Sequence, residues 1–286
     1  MKPYQVSASI VVYKNNQTDV VAALRSILSV PMRVACTVVD NSPTPDLRRC
    51  VTESGAKYIY AGINLGFGRG HNLALRASIE ASEYHLVLNP DVHFAPEIPA
   101  ALYRFMNENP AVGLVMPQIR YPDGTEQRLC KQFPEPLDLI SRRFLGNIGK
   151  SLFAKRLDRY ELRHLDMGIV REIPCLSGCF MFVRSTTLRE VGFFDERYFM
   201  YMEDVDLCRR IGARYKTVFY PTVSVTHGYA KGSYNSFRLL KYHLGSAFRY
   251  FSKWGWLYDP ERVTLNSRTA PLRVPSSEDE DAKGDR

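Results

Sequence analysis

Apolar side chains take every second position over residues 6–12 (Val6, Ala8, Ile10, Val12), the period of a β-strand. Val20, Ala23, Leu24 and Ile27 then follow a helical period, and Asp19 is placed to cap their helix. A β-branched run over 34–39 ends at Asp40, and Pro43 and Pro45 break the chain behind it. Residues 58–60 predict a third strand. A helix over 70–81 follows a glycine-rich turn, and 85–88 predict a fourth strand ending at Asn89-Pro90-Asp91. Pro96 suits the first turn of a helix that runs to Asn107. Strands alternating with helices over short connections imply a mostly parallel sheet with helices on both faces. Ligands of such sheets sit beyond the carboxyl ends of the strands. Asp40, the 64–72 loop and Asp91 each follow a predicted strand, so they are expected to converge on one edge.

The second half reads differently. Residues 112–121, the turn Pro122-Asp123-Gly124-Thr125 and the stretch to Gln132 predict a hairpin. Residues 135–165 are basic and predicted helical or irregular. A strand is expected over 173–183 around Ser177-Gly178, a short helix over 187–191 before Gly192, and a helix over 203–211 with Gly212 as its C-cap. Residues 218–225 predict a pair of strands interrupted by Pro221. A long amphipathic helix is expected over 233–254, and a charged, disordered tail over 276–286.

Composition narrows the class. The chain has 286 residues, 45% hydrophobic and 24% charged, which excludes wholesale disorder. No apolar run approaches the ~18 residues of a membrane span, and no signal peptide is recognisable at the start. The six cysteines are irregularly spaced, and no Cys/His pair follows Cys175 and Cys179 at zinc spacing, so reduced, packed thiols are expected. Net charge is +8, which favours anionic partners. Between Asp206 and Asp259 there is no acid, whereas nine Lys and Arg fall in that interval, interleaved with aromatics over 234–256. That pattern reads either as a membrane-surface helix or as a packed helix with a solvated basic face.

Five places carry candidate chemistry. Asn64-Leu65-Gly66-Phe67-Gly68-Arg69-Gly70-His71-Asn72 has glycine at alternate positions before a helix, suited to a phosphate or to an ordinary tight turn. It is not a dinucleotide fingerprint, because the third glycine falls one position early. Asn89-Pro90-Asp91-Val92-His93 places a carboxylate behind a strand, as a ligand for Mg²⁺ or Mn²⁺ or as an Asx turn, and His93 is near enough in sequence to share that site. Glu203, Asp204 and Asp206 open a helix behind an aromatic stretch. Acids suit a helix start, and an acid against apolar surface suits a general base. Ser177-Gly178-Cys179 interrupts a predicted strand, and His227 ends another.

In order and spacing these segments resemble family 2 glycosyltransferases, the rhamnosyltransferase-like branch in particular. The resemblance covers roughly residues 5–230. It rests on Ile10-Val11-Val12-Tyr13, Val38-Val39-Asp40-Asn41-Ser42, the Asn64–Asn72 loop, Leu88-Asn89-Pro90-Asp91, Ser177-Gly178-Cys179-Phe180-Met181, Phe193-Phe194-Asp195-Glu196, Glu203-Asp204-Val205-Asp206-Leu207 and His227. It implies an α/β GT-A fold, that is, a Rossmann-like nucleotide-binding, mixed, mostly parallel sheet flanked by helices. The implied divisions are 1–230 for the transferase (1–110 nucleotide-binding, 111–230 acceptor and catalytic), 231–263 for a C-terminal amphipathic helical extension and 264–286 for a disordered tail. The nucleotide sugar would lie along Val12, Tyr13, Asp40, Asn64, Gly66, Phe67, Arg69, Gly70, Asn72, Asn89 and Asp91. Asp40 would read the base. Ser177, Gly178 and Cys179 would lie near the acceptor or donor sugar. Asp91 keeps the last acid of the family's Asp-x-Asp motif, with His227 or His93 completing a Mg²⁺ or Mn²⁺ site. Asp204 would be the general base, supported by Glu203.

The reaction so implied is an inverting transfer, with dTDP-L-rhamnose the favoured donor and a UDP-sugar (galactofuranosyl or galactosyl) the alternative. The implied acceptor is a lipid-linked glycan of bacterial O-antigen or cell-surface polysaccharide assembly. The expected partners are that donor and acceptor, an anionic membrane surface met by residues 231–256 on the cytoplasmic face, and a second copy of the chain. Two other classes remain at this point. A nucleotidyltransferase would need a basic phosphate loop after the first strand, where Lys14-Asn15-Asn16-Gln17 supplies one base. A nucleic-acid binder is suggested by charge alone, and nucleic acid is not among the expected partners.

Overall fold

The computed structural model describes residues 2–139, 154–228 and 237–272. In chain order its elements are β1 (Tyr4–Val12), α1 (Gln17–Leu28), β2 (Val34–Asp40), α2 (Arg48–Glu53), β3 (Lys57–Tyr60), α3 (Phe67–Ser78), β4 (Ser82–Leu88), β5 (Val92–His93), α4 (Ile98–Glu108) and β6 (Val112–Arg120). There follow α5 (Ala154–Tyr160), β7 (Arg171–Glu172), β8 (Phe180–Arg184), α6 (Ser185–Val191), α7 (Glu203–Gly212), β9 (Lys216–His227), α8 (Phe237–Trp254) and α9 (Pro260–Asn266). Among the described residues one sheet runs in the order β3-β2-β1-β4-β8-β6-β9-β5, with β7 on β9. The long pairings β1–β2, β1–β4 and β6–β9 are parallel, whereas β8 is antiparallel to both β4 and β6. The carboxyl ends of β1, β2, β3 and β4 therefore share one edge.

β1 is central and covered on both faces. Val6, Ala8, Ile10 and Val12 bury one face in the hydrophobic core. The other face carries Ser7 and Ser9, also buried, and every hydroxyl has a partner there. Ser9 Oγ meets His71 Nδ1 of α3 at 2.7 Å and His85 Nε2 of β4 at 2.8 Å, and Ser7 Oγ meets His85 Nδ1 at 2.7 Å and Ser82 Oγ at 2.8 Å. Burial pushes His85 down to about 3 and His71 well below its ordinary value, so both rings are neutral.

Several local expectations are corrected. Asn16, not Asp19, caps α1: its side-chain oxygen accepts from the Asp19 amide at 2.8 Å. α3 starts at Phe67, three residues before Gly70, because the left-handed Gly66 already turns the chain into it. Pro99, not Pro96, lies in the first turn of α4. The turn after β6 forms, with Tyr121 N donating to Thr125 O at 2.8 Å, but its second arm makes one bridge, Arg120 to Glu126, and no strand. β8 pairs with β6 only at Leu114 and Val115, so the second arm meets the open end of β6 at Ile119 and Arg120 and then turns to Cys175, which Lys131 bridges. Residues 173–179 are not a strand. The span 218–225 is one strand, β9, and Pro221 falls where its register against β6 shifts, a bulge that tolerates the missing amide. Residues 140–153, 233–236 and 273–286, which carried helix and tail expectations, lie outside the described residues.

The C-terminal helices pack onto the turn before α7 and onto α7 itself. Tyr250 and Phe251 of α8 pack with Tyr198 and Met202, and Ser246 Oγ donates to Met200 O at 2.8 Å. Asp206 of α7, fully buried, accepts from Lys253 Nζ (2.6 Å), Trp254 Nε1 (2.8 Å) and Arg210 Nε (2.9 Å). Arg209 forms a bidentate pair with Asp259 at 2.6 Å and lies 4.3 Å from the Trp254 ring centroid. Three of the nine bases in the acid-free interval, Arg209, Arg210 and Lys253, are thus consumed by internal pairs. Replacing Asp206 by Ala removes the buried acceptor shared by two half-buried cations and an indole N–H, and is expected to lower unfolding free energy by about 2 kcal/mol. Urea denaturation checks this, and a loss below ~0.5 kcal/mol, the range of unremarkable surface changes, would remove Asp206 as the anchor of α8.

Candidate functional site

The first wall of the site is the shared edge of β1, β2 and β3. Val12 is buried in the core, and its carbonyl accepts from the Asn41 amide at 2.9 Å. Tyr13, next in the chain, is exposed at the mouth of that edge. Asp40 ends β2 with both carboxylate oxygens occupied: Ser42 N donates at 2.8 Å and the Tyr58 hydroxyl at 2.6 Å. Burial and the Asp40 charge push the Tyr58 phenol above its ordinary range. Behind this edge, Asn41 Nδ2 donates to Gly66 O at 3.0 Å and Gly66 N to Asn64 Oδ1 at 3.0 Å. Gly66 has φ +82°, and a Cβ there would lie 2.1 Å from the Phe199 carbonyl oxygen. A Cβ on Gly70 would lie 2.8 Å from both γ carbons of Val11. These glycines serve close protein packing, of the 199 loop on α3 and of α3 on β1. Asn72 is buried and clamps the 194–196 loop, accepting from Phe194 N at 3.1 Å and donating to Phe194 O at 2.9 Å and to Glu196 at 3.0 Å. Arg69, more exposed, faces Glu196 at 3.6 Å.

The second wall joins β4 to β9. Asp91 Oδ1 lies 3.4 Å from His227 Nε2, and Asn89 Nδ2 lies 3.3 Å from the same nitrogen. Gln127, which carried no sequence signal, decides the tautomer. Its amide donates to His227 O at 2.8 Å, so its oxygen faces His227 Nδ1 at 2.9 Å and that nitrogen must carry the hydrogen. Nε2 is then the nitrogen that faces both Asp91 and Asn89. Two acceptors 3.4 Å apart call for a positive charge between them, a proton or a cation. A carboxylate and an imidazole oriented by an outer hydrogen bond suit a divalent metal that shares its remaining positions with water and phosphate. His93 is not part of this pair. It is exposed, and Val92, its neighbour in β5, is the residue in register with His227, so strand alternation turns His93 to the opposite face.

The third wall is the start of α7. Tyr201 and Met202 both take left-handed backbone, φ +68° and +69°, immediately before Glu203. Asp204 Oδ2 accepts from Gly178 N at 3.0 Å and Oδ1 from Val205 N at 2.8 Å. A Cβ on Gly178 would press on Asp204 Cβ (3.2 Å) and Phe67 (3.3 Å), so the glycine lets these groups meet. The Cys179 carbonyl accepts from Asn89 N at 2.9 Å and ties this wall to the second. Burial pushes the Cys179 thiol up to about 12, which leaves it unreactive. Glu203 is 5% exposed, and its Oε2 is buried without a hydrogen-bond partner. Burial first, then the Asp204 charge, push Glu203 up to about 8. Phe67, Asn89, Ser177, Gly178, Asp204 and His227 all line one cleft of about 460 Å³.

The family model for glycosyl transferase family 2 matches residues 8–191. The chain belongs to glycosyl transferase family 2. It is 29% identical over 261 residues to N-acetylglucosaminyl-diphospho-decaprenol L-rhamnosyltransferase of Mycobacterium tuberculosis, covering 85% of this chain and 83% of that one. It is 28% identical over 226 residues to rhamnosyltransferase WbbL of Escherichia coli strain K12, covering 76% and 81%. The structure of GalNAc-T7 with UDP, GalNAc and Mn²⁺ superposes with a TM-score of 0.62 over 98% of this chain and 54% of that one, at 14% identity, a likeness of fold. The sheet is that of a GT-A glycosyltransferase, and this family 2 chain is similar to both rhamnosyltransferases over most of their length.

The Glu203 carboxyl gives this family 2 enzyme a measurable pH signature. Its folded pKa lies above the ordinary carboxylate value, so between about pH 4.5 and 8 the folded state keeps a proton that the unfolded chain has released. That contribution is present in full at low pH and is lost as pH rises through this window. Glu203→Gln abolishes it. The variant's stability relative to the parent is therefore expected to rise steadily from pH 5 to pH 8 and then level. Thermal unfolding at one-unit pH intervals checks this, and a constant difference across the window would show Glu203 ionised throughout.

Proposed function

We propose that the enzyme transfers L-rhamnose from dTDP-L-rhamnose to a hydroxyl of a lipid-linked glycan, with inversion at the anomeric carbon. The observation that carries this reading is the convergence of Asp204 with Asn89 and His227 on one cleft, with Asp91 3.4 Å from His227. The rhamnosyltransferase names of the two relatives support the sugar. Tyr13 and Asp40 flank the base, Asp40 held in place by Ser42 and Tyr58. A divalent cation, Mg²⁺ or Mn²⁺, would be held by Asp91 and His227 and supplies charge neutralisation for the donor diphosphate. Asp204, aimed by the Gly178 amide, takes the proton of the acceptor hydroxyl. That oxygen forms the new bond at the anomeric carbon from the face opposite the breaking bond, and dTDP leaves. Ser177, Gly178 and Cys179 border the sugars.

Calorimetric titration tests the donor. dTDP is expected to bind with Mn²⁺ or Mg²⁺ and to lose most of its affinity in EDTA or in Asp91→Ala. Preference for UDP would move the donor to a UDP-sugar, and failure of the folded protein to bind either nucleotide would overturn the reading. Asp204→Asn should keep dTDP affinity and lower kcat by ~10²–10⁴.

The enzyme is further read as a peripheral protein of the cytoplasmic membrane face, acting in bacterial cell-surface polysaccharide assembly. Among the described residues no helix is long and apolar enough to cross a membrane. α8 buries Tyr250 and Phe251, yet Phe237 (84% exposed), Leu244 and Phe248 (62%) form an outer stripe at helical spacing, with Arg238, Lys241 and Arg249 exposed beside it. Leu257, 92% exposed, continues that surface. Flotation with phosphatidylglycerol vesicles is the test: the parent should float, and Leu244→Glu with Phe248→Glu should stay at the bottom at unchanged melting temperature. Equal flotation of both would remove α8 as the contact.

A further inference from the structure

We propose that Arg128, Lys131 and His243 form an anion subsite on the acceptor side of the cleft, which takes a phosphate or diphosphate carried by the acceptor. The inference rests on the transferase reading above and adds a second anionic ligand beside the donor.

The three residues line the same cleft as Asp204 and His227, in which Glu203 and Asp204 are the acids. The chain between 127 and 131 is pinned at both ends. Gln127 N donates to Ile119 O at 2.8 Å and its side-chain amide holds the His227 carbonyl, while Lys131 and Cys175 exchange both backbone hydrogen bonds, at 3.0 and 3.1 Å. Arg128 and Lys131 therefore leave a rigid strip, and little ordering is needed to bring them to a ligand. His243 reaches the cleft from α8, its ring edge-on to Tyr201 at 5.3 Å.

Place in the sheet assigns these cations to the acceptor. The nucleotide edge is formed by β1, β2 and β3, and Asp91 follows β4 next to them. The pinned strip hangs from Ile119 of β6 and from Cys175, which leads into β8, on the far side of β4 in the strand order. Phe67 and Asn89 reach this cleft from the donor motifs, whereas Tyr13, Asp40 and Asn64 do not line it. Along the described lining of the cleft, Arg128, Lys131 and His243 are the basic groups beside His227. On α8, His243 faces in and Leu244 and Phe248 face out. An amphiphile whose anionic head enters the cleft would thus meet apolar surface where its tail leaves.

The probe is farnesyl diphosphate, with farnesol as the uncharged control, titrated into enzyme saturated with dTDP and Mn²⁺. Farnesyl diphosphate is expected to bind without displacing dTDP and at least tenfold tighter than farnesol. Arg128→Glu, at an exposed side chain that does not threaten folding, and Lys131→Ala should each weaken it about tenfold or more, and Lys131→Arg should recover most of the loss. dTDP affinity should stay within about twofold in all three. Displacement of dTDP, equal binding of farnesol, or affinity untouched by both variants overturns the proposal. If dTDP itself fails to bind, the donor reading falls separately, and the same variants tested on nucleotide-free protein still decide the anion subsite.

Discussion

Asp204 reaches the cleft because two consecutive residues, Tyr201 and Met202, adopt backbone angles that their side chains disfavour. Each such residue costs on the order of 1–3 kcal/mol and persists where surrounding contacts over-determine it. Those contacts come from α8. Met202 is buried against Tyr250 and Phe251, the Met200 carbonyl is held by Ser246, and Phe199 packs on Tyr242 with ring centroids 4.5 Å apart. Phe199 in turn accepts from Phe67 N at 3.1 Å, which closes the loop onto the start of α3. One strained turn is thereby gripped from α3 and from the C-terminal helix, and it carries Asp204, the proposed base, between them.

The charge distribution follows the same division. A net charge of +8 with a long acid-free interval suggests a uniformly basic C-terminal third. Instead the inner bases are neutralised one by one. Arg209 meets Asp259 and Glu261, and Lys253 meets Asp206 and Asp195. These pairs are buried or half-buried, where loss of one partner leaves an uncompensated ion, so they specify how α8 and α9 seat. On the outer surface of α8, Arg238, Lys241 and Arg249 are exposed, and Arg128 and Lys131 line the far wall of the cleft. Both suit an anionic partner. The apolar stripe beside the first distinguishes a surface from a small ion.

The motifs that resemble the family were legible because each is local: a strand, then the acid, glycine or asparagine that ends it. Asp40, Asp91, Asp204 and His227 stand out in that way, a mostly parallel sheet follows from strand–helix alternation, and its GT-A form is what the resemblance implies. What was missed depends on contacts distant in sequence. Gln127 sits in an arm without regular structure, 100 residues from the histidine it orients. The grip of Asp206 on Lys253 and Trp254 spans 47 and 48 residues and reads in sequence as two separate charge patterns. The left-handed turn at 201–202 has no composition signal, because glycine or asparagine would be the usual residues there. The glycines of the 66–70 loop were legible as close approach, but the partner on the other side is Phe199 or Val11, which only the fold supplies.

A helix that only tethered the enzyme to a membrane could be removed with its catalytic half intact. α8 cannot, since its inner face holds the turn that presents Asp204 and its His243 lines the cleft. Removing it would take away the proposed surface contact and the support of Asp204 together, and leave neither role assigned. The helix has two faces with separable duties. Changes confined to Phe237, Leu244 and Phe248 act on the outer face, whereas changes at Ser246, Tyr250 or Lys253 act through the turn before Asp204 and through α7. A ligand or surface that bears on the outer face therefore presses on the element that supports the base. The acceptor cleft and the apolar stripe share this helix, so the site where a lipid-linked acceptor would leave the bilayer and the site where its hydroxyl would lose a proton are mechanically one unit.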